Sequence, residues 1–430
     1  MVNSSWGLLG LESLSSARRT RSLGVGAAVR IFNDLAVPGM GNVWFGKQLF
    51  LATLGVAVVD LARSNGTQLQ NIEVANAIEA MACWLALKDN GWKSDPRLRG
   101  AEKMKGERKV PSFKYARKRE FYVTQPMRMA TVQPLPALGV VETAGSRFNA
   151  FTCSRYGHDF IEAMCIDYKD IIEHLRGWVR GDAVKVAKLR TVLSPLEQMP
   201  KGAREFLKER LIQGGIQESD TNKGRRRAAL AWVESLREHP TQELAWRSKP
   251  LVIDDAHWSD LHAGARFFIA RDAAIRVLDR LETCVDNQAE QRFSLVDRIP
   301  KDIREAINSL RVCADTFLQI QHRNELANAF CEECRDLDDL RLLAKLVGRD
   351  NHGLRIQDHI ILPGPAFRGE TKSGQSQMEE EGGESVQGAI KWPEGISYRI
   401  QNLFLLNLDL HGELSEWLGA ATVSAAGEEE

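Results

Sequence analysis

Acidic and imidazole side chains that could bind a metal ion are densest in one short stretch: Asp254, Asp255, His257, Asp260 and His262. His257 and Asp260 are three residues apart and could share one face of a helix. Structural metal sites and metallohydrolases use such groups, so a metal-dependent enzyme is one alternative function. The stretch has no HExxH or comparable signature. We therefore favour helix capping and a solvated face, and we expect neither a metal nor another cofactor.

Two thiol arrangements also suggest chemistry. Cys331 and Cys334 form a CxxC motif, but a structural zinc needs two further ligands and the sequence has no second such motif. Cys153 and His158 have the residue types of a thiol nucleophile and its base. They fall at the end of a predicted strand and on the helix that follows it. We expect the CxxC cysteines to be half-buried helix residues, and we assign no catalytic residue.

A nucleotide-binding motif is nearly present at residues 41–48 (GNVWFGKQ), but Gln48 stands where a phosphate loop needs the Ser or Thr that binds magnesium. Residues 251–258 (LVIDDAHW) look like the acidic second motif of certain regulatory ATPases. The helix-rich interval between them lacks the repeated buried strands of a parallel sheet. The sequence instead predicts a helix entry turn at 41–48 and an Asp N-cap before a helix that starts near His257.

Positive charge is concentrated in one segment of an otherwise neutral chain. The chain has 57 basic and 57 acidic residues, which excludes a uniformly basic coat protein and an acidic solvating chain. Residues 93–128 hold twelve Lys or Arg and four acids, a local excess of +8. Lys114, Arg117, Lys118 and Arg119 form its densest cluster. Neutralisation of phosphates by such a cluster makes nucleic-acid binding strongly dependent on salt.

An ordered series of short elements follows the basic segment. A helix-compatible stretch from 124 to 138 ends at Gly139, a plausible left-handed stop. Residues 140–142 can form a short strand, and turn-forming residues separate them from an alternating stretch at 147–153 (RFNAFTC). Ser154 can then cap a helix that runs through Met164. The sequence therefore predicts a helix, a β-hairpin and a second helix.

This order, with LGVVE at 138–142 and a TCSRYGHDFI phrase at 152–161, resembles the winged helix-turn-helix family over residues 121–165. The resemblance implies a helix in the major groove and a wing near the phosphates. Pro134 and Pro136 depart from the pattern: either the helix begins near Gln133 to Pro136, or it is kinked. The side chains expected at base edges, phosphates or the wing are Gln125, Arg128, Thr131, Gln133, Arg147 and Asn149. Winged helices also serve as protein-binding or dimerisation modules.

Hydrophobic periodicity predicts a mainly α-helical protein: a helical N-terminal region, a winged-helix module with a small β-wing, and a multi-helix bundle. Helical spacing is clearest in 48–63, 72–87, 257–285 and 303–317. The apolar stretch 49–59 is too short to span a bilayer, which needs about 20 residues. We therefore expect it to lie in a buried helix. Seven cysteines without a framework spacing, and no secretory signal pattern, favour a cytoplasmic protein.

The expected divisions are 1–92 (helical domain), 93–165 (basic segment and winged helix), 166–362 (helical bundle), 363–389 (flexible acidic insert) and 390–430 (apolar docking segment). The insert is too poor in apolar groups to offset the entropy of ordering. The docking segment should pack on the rest of the chain or on a partner.

Together these features predict a non-enzymatic, DNA-associated subunit of a multi-protein bacterial DNA-handling machine, in genome (antiviral) defence or chromosome maintenance. The expected partners are double-stranded DNA and other protein subunits or a second copy of the chain, without a membrane. The alternatives are a kleisin-like scaffold or adaptor that does not contact DNA, and the metal-dependent enzyme based on residues 254–262.

Overall fold

A computed structural model describes Arg21 and residues 23–64, 66, 68–107, 109–118, 120–239, 244–288, 290–296, 298–367 and 390–427. The chain divides into two compact units. The larger unit comprises residues 32–262 and 381–430, and the smaller unit comprises residues 1–31 and 263–380. The predicted divisions at 92, 165 and 362 do not coincide with this one, because the predicted bundle 166–362 is shared between the units. The division itself falls inside two helices, α1 (Gly26–Ala36) and α12 (Asp255–Asp286).

In its described residues the larger unit consists of helices, one β-hairpin and the loops between them. Its further helices are α2 (Gly46–Ser64), α3 (Asn71–Asp89), α4 (Ala101–Met104), α5 (Phe113–Ala116), α6 (Pro134–Ala137), α7 (Arg155–Met164), α8 (Tyr168–Arg180), α9 (Val186–Leu193), α10 (Lys201–Gln213), α11 (Asp220–Glu238), α16 (Tyr398–His411) and α17 (Leu414–Gly427), with 3-10 helices at Met127–Thr131 and Phe148–Ala150. The predicted mainly α-helical class is confirmed, and so are the helices expected at 48–63 and 72–87.

Helices α2 and α3 form the centre of the larger unit. Most residues of both helices are buried, including the whole apolar stretch 49–59, so the expectation of a buried helix there is confirmed. The two backbones approach closely at Gly55, where an added Cβ would lie 2.7 Å from the Cα of Ala75. A side chain at position 55 would therefore push the helices apart. Within the described residues, no helix is both long enough and apolar enough to cross a membrane.

The predicted hairpin is present, but its second strand is shorter than the alternating stretch 147–153, because residues 148–150 form a 3-10 helix. Strands β1 (Val141–Thr143) and β2 (Phe151–Cys153) pair antiparallel, with Val141 opposite Cys153. Gly139, two residues before the start of β1, has a φ of 74°, in the left-handed region that glycine adopts without strain. Ser154 caps α7 as predicted, because its hydroxyl accepts a hydrogen bond from the Gly157 amide at 3.1 Å.

The stretch 124–138 does not form the regular helix expected of a DNA reader. It contains the five-residue 3-10 helix Met127–Thr131 and then α6, a single turn that starts at Pro134. Of the two alternatives that the prolines left open, a helix that begins near Pro134 is therefore observed. A proline is tolerated at a helix start, since its missing N–H has no partner there, whereas it breaks a helix interior.

The C-terminal segment packs within the larger unit. Ser397 caps α16 through the Arg399 amide, and α16 lies against α11. Leu403, Leu406 and Leu408 of α16 are buried in the core. The expectation that this apolar segment packs on the rest of the chain is confirmed. The acidic insert predicted at 363–389 falls almost entirely outside the described residues.

The smaller unit combines helices with a three-stranded antiparallel sheet. It holds most of α12, then α13 (Lys301–Leu318), α14 (Glu325–Cys334) and α15 (Asp339–Asp350), with strands β3 (Phe293–Ser294), β4 (Leu354–Gln357) and β5 (Ile360–Pro363) in the order β3-β5-β4. The helices expected at 257–285 and 303–317 are confirmed. Their core includes the ring of Phe267, whose centroid lies 5.6 Å from that of Phe317 and 6.1 Å from that of Phe330.

Candidate nucleic-acid interface

The short helix α5 is fixed to the core by its apolar residues and turns its charged residues outward. Phe113 and Ala116 are buried. The Phe113 ring meets the Trp178 ring edge-on at 5.4 Å, and the Trp178 indole N–H donates to the Pro111 carbonyl at 3.2 Å. Because residues three apart share one helical face, the inward pair at 113 and 116 places the intervening side chains outside.

Three of the four predicted cluster residues, Lys114, Arg117 and Lys118, are exposed on or next to α5. Arg117 contacts Glu73 at 3.7 Å, but both side chains are partly exposed, so this ion pair contributes little and leaves the guanidinium accessible. Arg119, the fourth, lies outside the described residues. The other exposed cations of the described basic segment are Lys93, Lys103, Lys105 and Lys109.

Helix α3 supports this segment through polar side chains on one face. Glu73 forms an ion pair with Arg117, and the Asn76 side-chain oxygen Oδ1 accepts from the Arg128 guanidinium. The Glu79 carboxylate accepts from the backbone amides of Met127 and Arg128. Glu79 is buried, and burial raises its pKa although these hydrogen bonds act in the opposite direction. None of these three α3 residues was predicted from the sequence. Their three-residue spacing on an otherwise apolar helix is the signal that would have identified them.

The residues expected to read bases are placed differently. Thr131 is fully buried, and its hydroxyl donates to the Arg128 carbonyl at 2.8 Å. Its assignment to DNA contact is therefore wrong. Gln133 is exposed, but its side chain accepts from Arg399 at 2.8 Å and donates to Asp34 at 3.3 Å. Both of its polar groups thus already have protein partners.

Arg128 and Gln125 are half-buried. The Arg128 guanidinium lies 5.4 Å from the centre of the Phe148 ring, and burial lowers its pKa. Arg128 therefore joins the 3-10 helix, α3 and the hairpin loop, and only part of its guanidinium faces solvent. These placements do not supply the row of outward polar groups that base reading requires.

The two residues of the hairpin loop that were predicted to contact DNA, Arg147 and Asn149, are placed differently. Arg147 is exposed. The Asn149 side-chain oxygen Oδ1 accepts from the Ile72 backbone amide at 3.0 Å, and its side-chain NH2 group donates to the Gln70 side chain at 3.3 Å. Asn149 thus satisfies a donor at the start of α3. The structure brings Arg117, Arg128 and the hairpin loop together around the first turns of α3, and it separates Gln133 from them.

The near phosphate loop at 41–48 is a helix entry turn, as predicted. The Gln48 side chain accepts from the Trp44 amide at 2.9 Å, and the Gly46 amide donates to Asp409 at 2.7 Å. Lys47 is buried, and its ammonium donates to the Val192 carbonyl at 2.7 Å. Burial lowers the pKa of Lys47 to about 8. The lysine that would hold a phosphate therefore points into the core.

The residues considered as metal ligands form hydrogen bonds and ion pairs within the protein. Asp254 caps α12 through the His257 amide at 2.7 Å, which confirms the predicted Asp cap. The His257 ring bonds to the Ala36 carbonyl at 2.9 Å, and Asp260 pairs with Arg225 at 2.6 Å. In the part of the chain that the structure describes, no three His, Cys, Asp or Glu side chains are placed to hold a metal ion.

The thiols are in apolar surroundings. Cys331 and Cys334 are buried on α14, slightly deeper than the half-buried position expected. Burial raises the pKa of Cys153 to about 12, with a further contribution from Asp60, so its thiolate is disfavoured. His158 is exposed on α7.

The chain matches no protein-family model, and no curated protein or solved structure matches it either. Its function is therefore inferred from its own geometry.

Proposed function

We propose that this protein is a non-enzymatic, DNA-associated subunit of a multi-protein bacterial DNA-handling machine, with genome defence or chromosome maintenance as its setting. The observation that carries the proposal is the placement of α5. Buried Phe113 anchors this helix, and Lys114 on it, together with Arg117 and Lys118 directly after it, is exposed in a chain with no net charge. A fixed group of cations matches the regular spacing of phosphates better than a mobile tail does, because less entropy is lost on binding.

The proposed contact is to the phosphates of duplex DNA, with Arg147 at the tip of the winged-helix-like hairpin as an additional cation. Thr131 is buried and Asn149 bonds to the start of α3, so direct reading of base edges is not part of the proposal. Phosphate contacts fix position and orientation without conveying sequence. Binding should therefore be steeply salt-dependent and nearly independent of DNA sequence.

The double substitution Lys114→Glu/Lys118→Glu tests the proposal. We expect duplex affinity to fall at least tenfold, and the slope of log Kd against log salt to flatten by about 0.9 for each phosphate that the variant no longer neutralises. Fluorescence anisotropy with a short duplex at several salt concentrations measures both quantities.

A matched control has the same total charge. Lys201→Glu/Lys301→Glu replaces two lysines whose side chains are 80% and 92% exposed. It should keep its affinity within about twofold, since neither lysine is part of the proposed contact surface. If both double variants bind equally well, α5 is not the contact surface.

The non-enzymatic assignment is supported by the uses of the candidate catalytic groups. Asp254, His257 and Asp260 serve as a helix cap, a backbone contact and an ion pair. A hydrolase or nuclease activity that is lost in Asp255→Ala/His257→Ala, with unchanged circular dichroism, would contradict the assignment.

A scaffold without DNA contact is the second candidate. It is favoured by the absence of a regular reading helix at 124–138 and by large apolar side chains exposed in the smaller unit. Val312, Leu326 and Leu337 are 65%, 55% and 87% exposed. Such residues can contribute to a protein interface, although scattered exposed apolar residues are common. DNA binding that is absent, or that does not respond to salt, would select this candidate.

A further inference from the structure

Tyr115 is an aromatic residue held on the surface among the cations of α5. It is 40% exposed. Its hydroxyl donates to the Glu107 carboxylate at 2.9 Å, and its ring centre lies 4.7 Å from that of Phe121 at an angle of 54°. The Lys118 ammonium lies 5.9 Å from the ring centre. The ring is therefore held in place at its hydroxyl and on one side, while part of it remains open to solvent.

Basic residues predominate in the sequence next to this ring. From Lys109 to Lys118 the sequence has four basic residues and no acidic residue. Glu107, the acid that precedes this run, is bonded to the tyrosine hydroxyl. An ordered aromatic surface beside cations has the two components that bind an exposed nucleobase and its flanking phosphates.

A second exposed tyrosine, Tyr156, has a structural role and serves as a comparison for Tyr115. Tyr156 is 38% exposed, but the Arg210 guanidinium lies 3.9 Å from the centre of its ring. Arg210 is itself buried and donates to the Leu138 carbonyl at 2.9 Å. The face of Tyr156 is thus occupied by a fixed protein group. The cation near Tyr115 is instead the exposed Lys118.

In an intact duplex each base is covered on both faces by its neighbours, so a protein ring can stack only on a base that has left the stack. We propose that α5 recognises DNA that contains an unpaired base, with Tyr115 stacked on that base and with Lys114 and Lys118 at the adjacent phosphates. This inference rests on the proposed function and specifies the form of DNA that the surface prefers.

The test compares a fully paired duplex with the same duplex carrying one bulged 2-aminopurine, at a single salt concentration. We expect the wild-type protein to bind the bulged duplex about tenfold more tightly and to quench the 2-aminopurine fluorescence, as stacking does. Tyr115→Leu should lose both the preference and the quenching, and should keep its affinity for the paired duplex within about twofold. Tyr115→Phe keeps the ring and should keep both.

Tyr156→Leu is the matched control and should behave as wild type. Equal affinities of the wild-type protein for the two duplexes would overturn the inference, as would a bulge preference that survives Tyr115→Leu. The proposed function would still stand in these cases if Lys114→Glu/Lys118→Glu abolished binding to the paired duplex. Failure of the wild-type protein to bind either DNA would overturn both.

Discussion

Two neighbouring stretches of the larger unit use polar side chains in opposite ways. In α5, buried Phe113 and Ala116 anchor the backbone, and the cations beside them face solvent. In 127–137, Thr131 and Gln133 satisfy internal hydrogen-bond partners. From residue type alone, both stretches would be expected to bind a ligand. The comparison shows that the direction of a side chain, set by where its neighbours are anchored, decides whether it can bind another molecule.

The largest expected effect comes from removing the anchor of α5. Phe113→Ala leaves a cavity against Trp178 and should lower the free energy of unfolding by about 3–5 kcal/mol. DNA affinity should fall as well, because the cations lose their fixed arrangement. Urea denaturation and anisotropy measure the two quantities. Unchanged affinity in a folded Phe113→Ala protein would show that the ordered helix is not needed for binding.

Glu79→Ala tests how much the hydrogen bonds to Glu79 stabilise the stretch 127–137. It removes the acceptor of the Met127 and Arg128 amides and of the Tyr122 hydroxyl, and should cost about 2–4 kcal/mol of stability. The affinity of the folded protein for DNA should change less than twofold. A loss of affinity as large as that of the Lys114/Lys118 reversal would show that the two stretches act together.

Glu79 also predicts a pH dependence. Burial raises its pKa in the folded protein, so the folded state holds this proton more tightly than the unfolded chain does. The free energy of unfolding should therefore fall as the pH rises from below the ordinary glutamate pKa of 4.5 through the raised pKa. Glu79→Gln cannot titrate and should remove this component. Urea denaturation at a series of pH values tests it, and identical pH slopes in the two proteins would contradict it.

Thr131→Val should cost about 1 kcal/mol, because it replaces a buried, hydrogen-bonded hydroxyl by a methyl group of similar size. DNA affinity should be unchanged, since the side chain does not reach the surface. A variant of wild-type stability that binds DNA more weakly would restore Thr131 to the interface.

The smallest effects are expected from the hairpin loop, where the same contrast occurs within three residues. Arg147→Ala should weaken DNA binding by about threefold without a change in stability, because it removes one exposed cation. Asn149→Ala should cost about 1 kcal/mol of stability without a change in affinity, because it leaves the Ile72 amide without its acceptor. If Arg147→Ala lowered stability and Asn149→Ala lowered affinity instead, the DNA contact would be Asn149 and the structural residue would be Arg147.

Much of the fold was predictable because its signals are local. The spacing of apolar residues in 48–63, 72–87 and 257–285 indicates helices that the structure contains, and Gly139 and Ser154 mark the hairpin and the cap of α7. The candidate site was only partly predictable. Its cations were identified from their density in the sequence, whereas Thr131 was assigned wrongly because the proline-containing stretch has no regular period from which an outward face can be read.

The sequence by itself determined the helical class, the position of the hairpin and the local excess of positive charge, since each depends on residues close together in the chain. Only the tertiary structure decided which polar groups remain available to a ligand. The reason is that the partners of Arg128, Gln133 and Asn149 lie some 50 to 270 residues away, on α3 and α16, or across the fold at Gln70 and Asp34. A polar side chain pairs with the donor or acceptor that the fold places beside it, and that location is not encoded in the neighbouring residues.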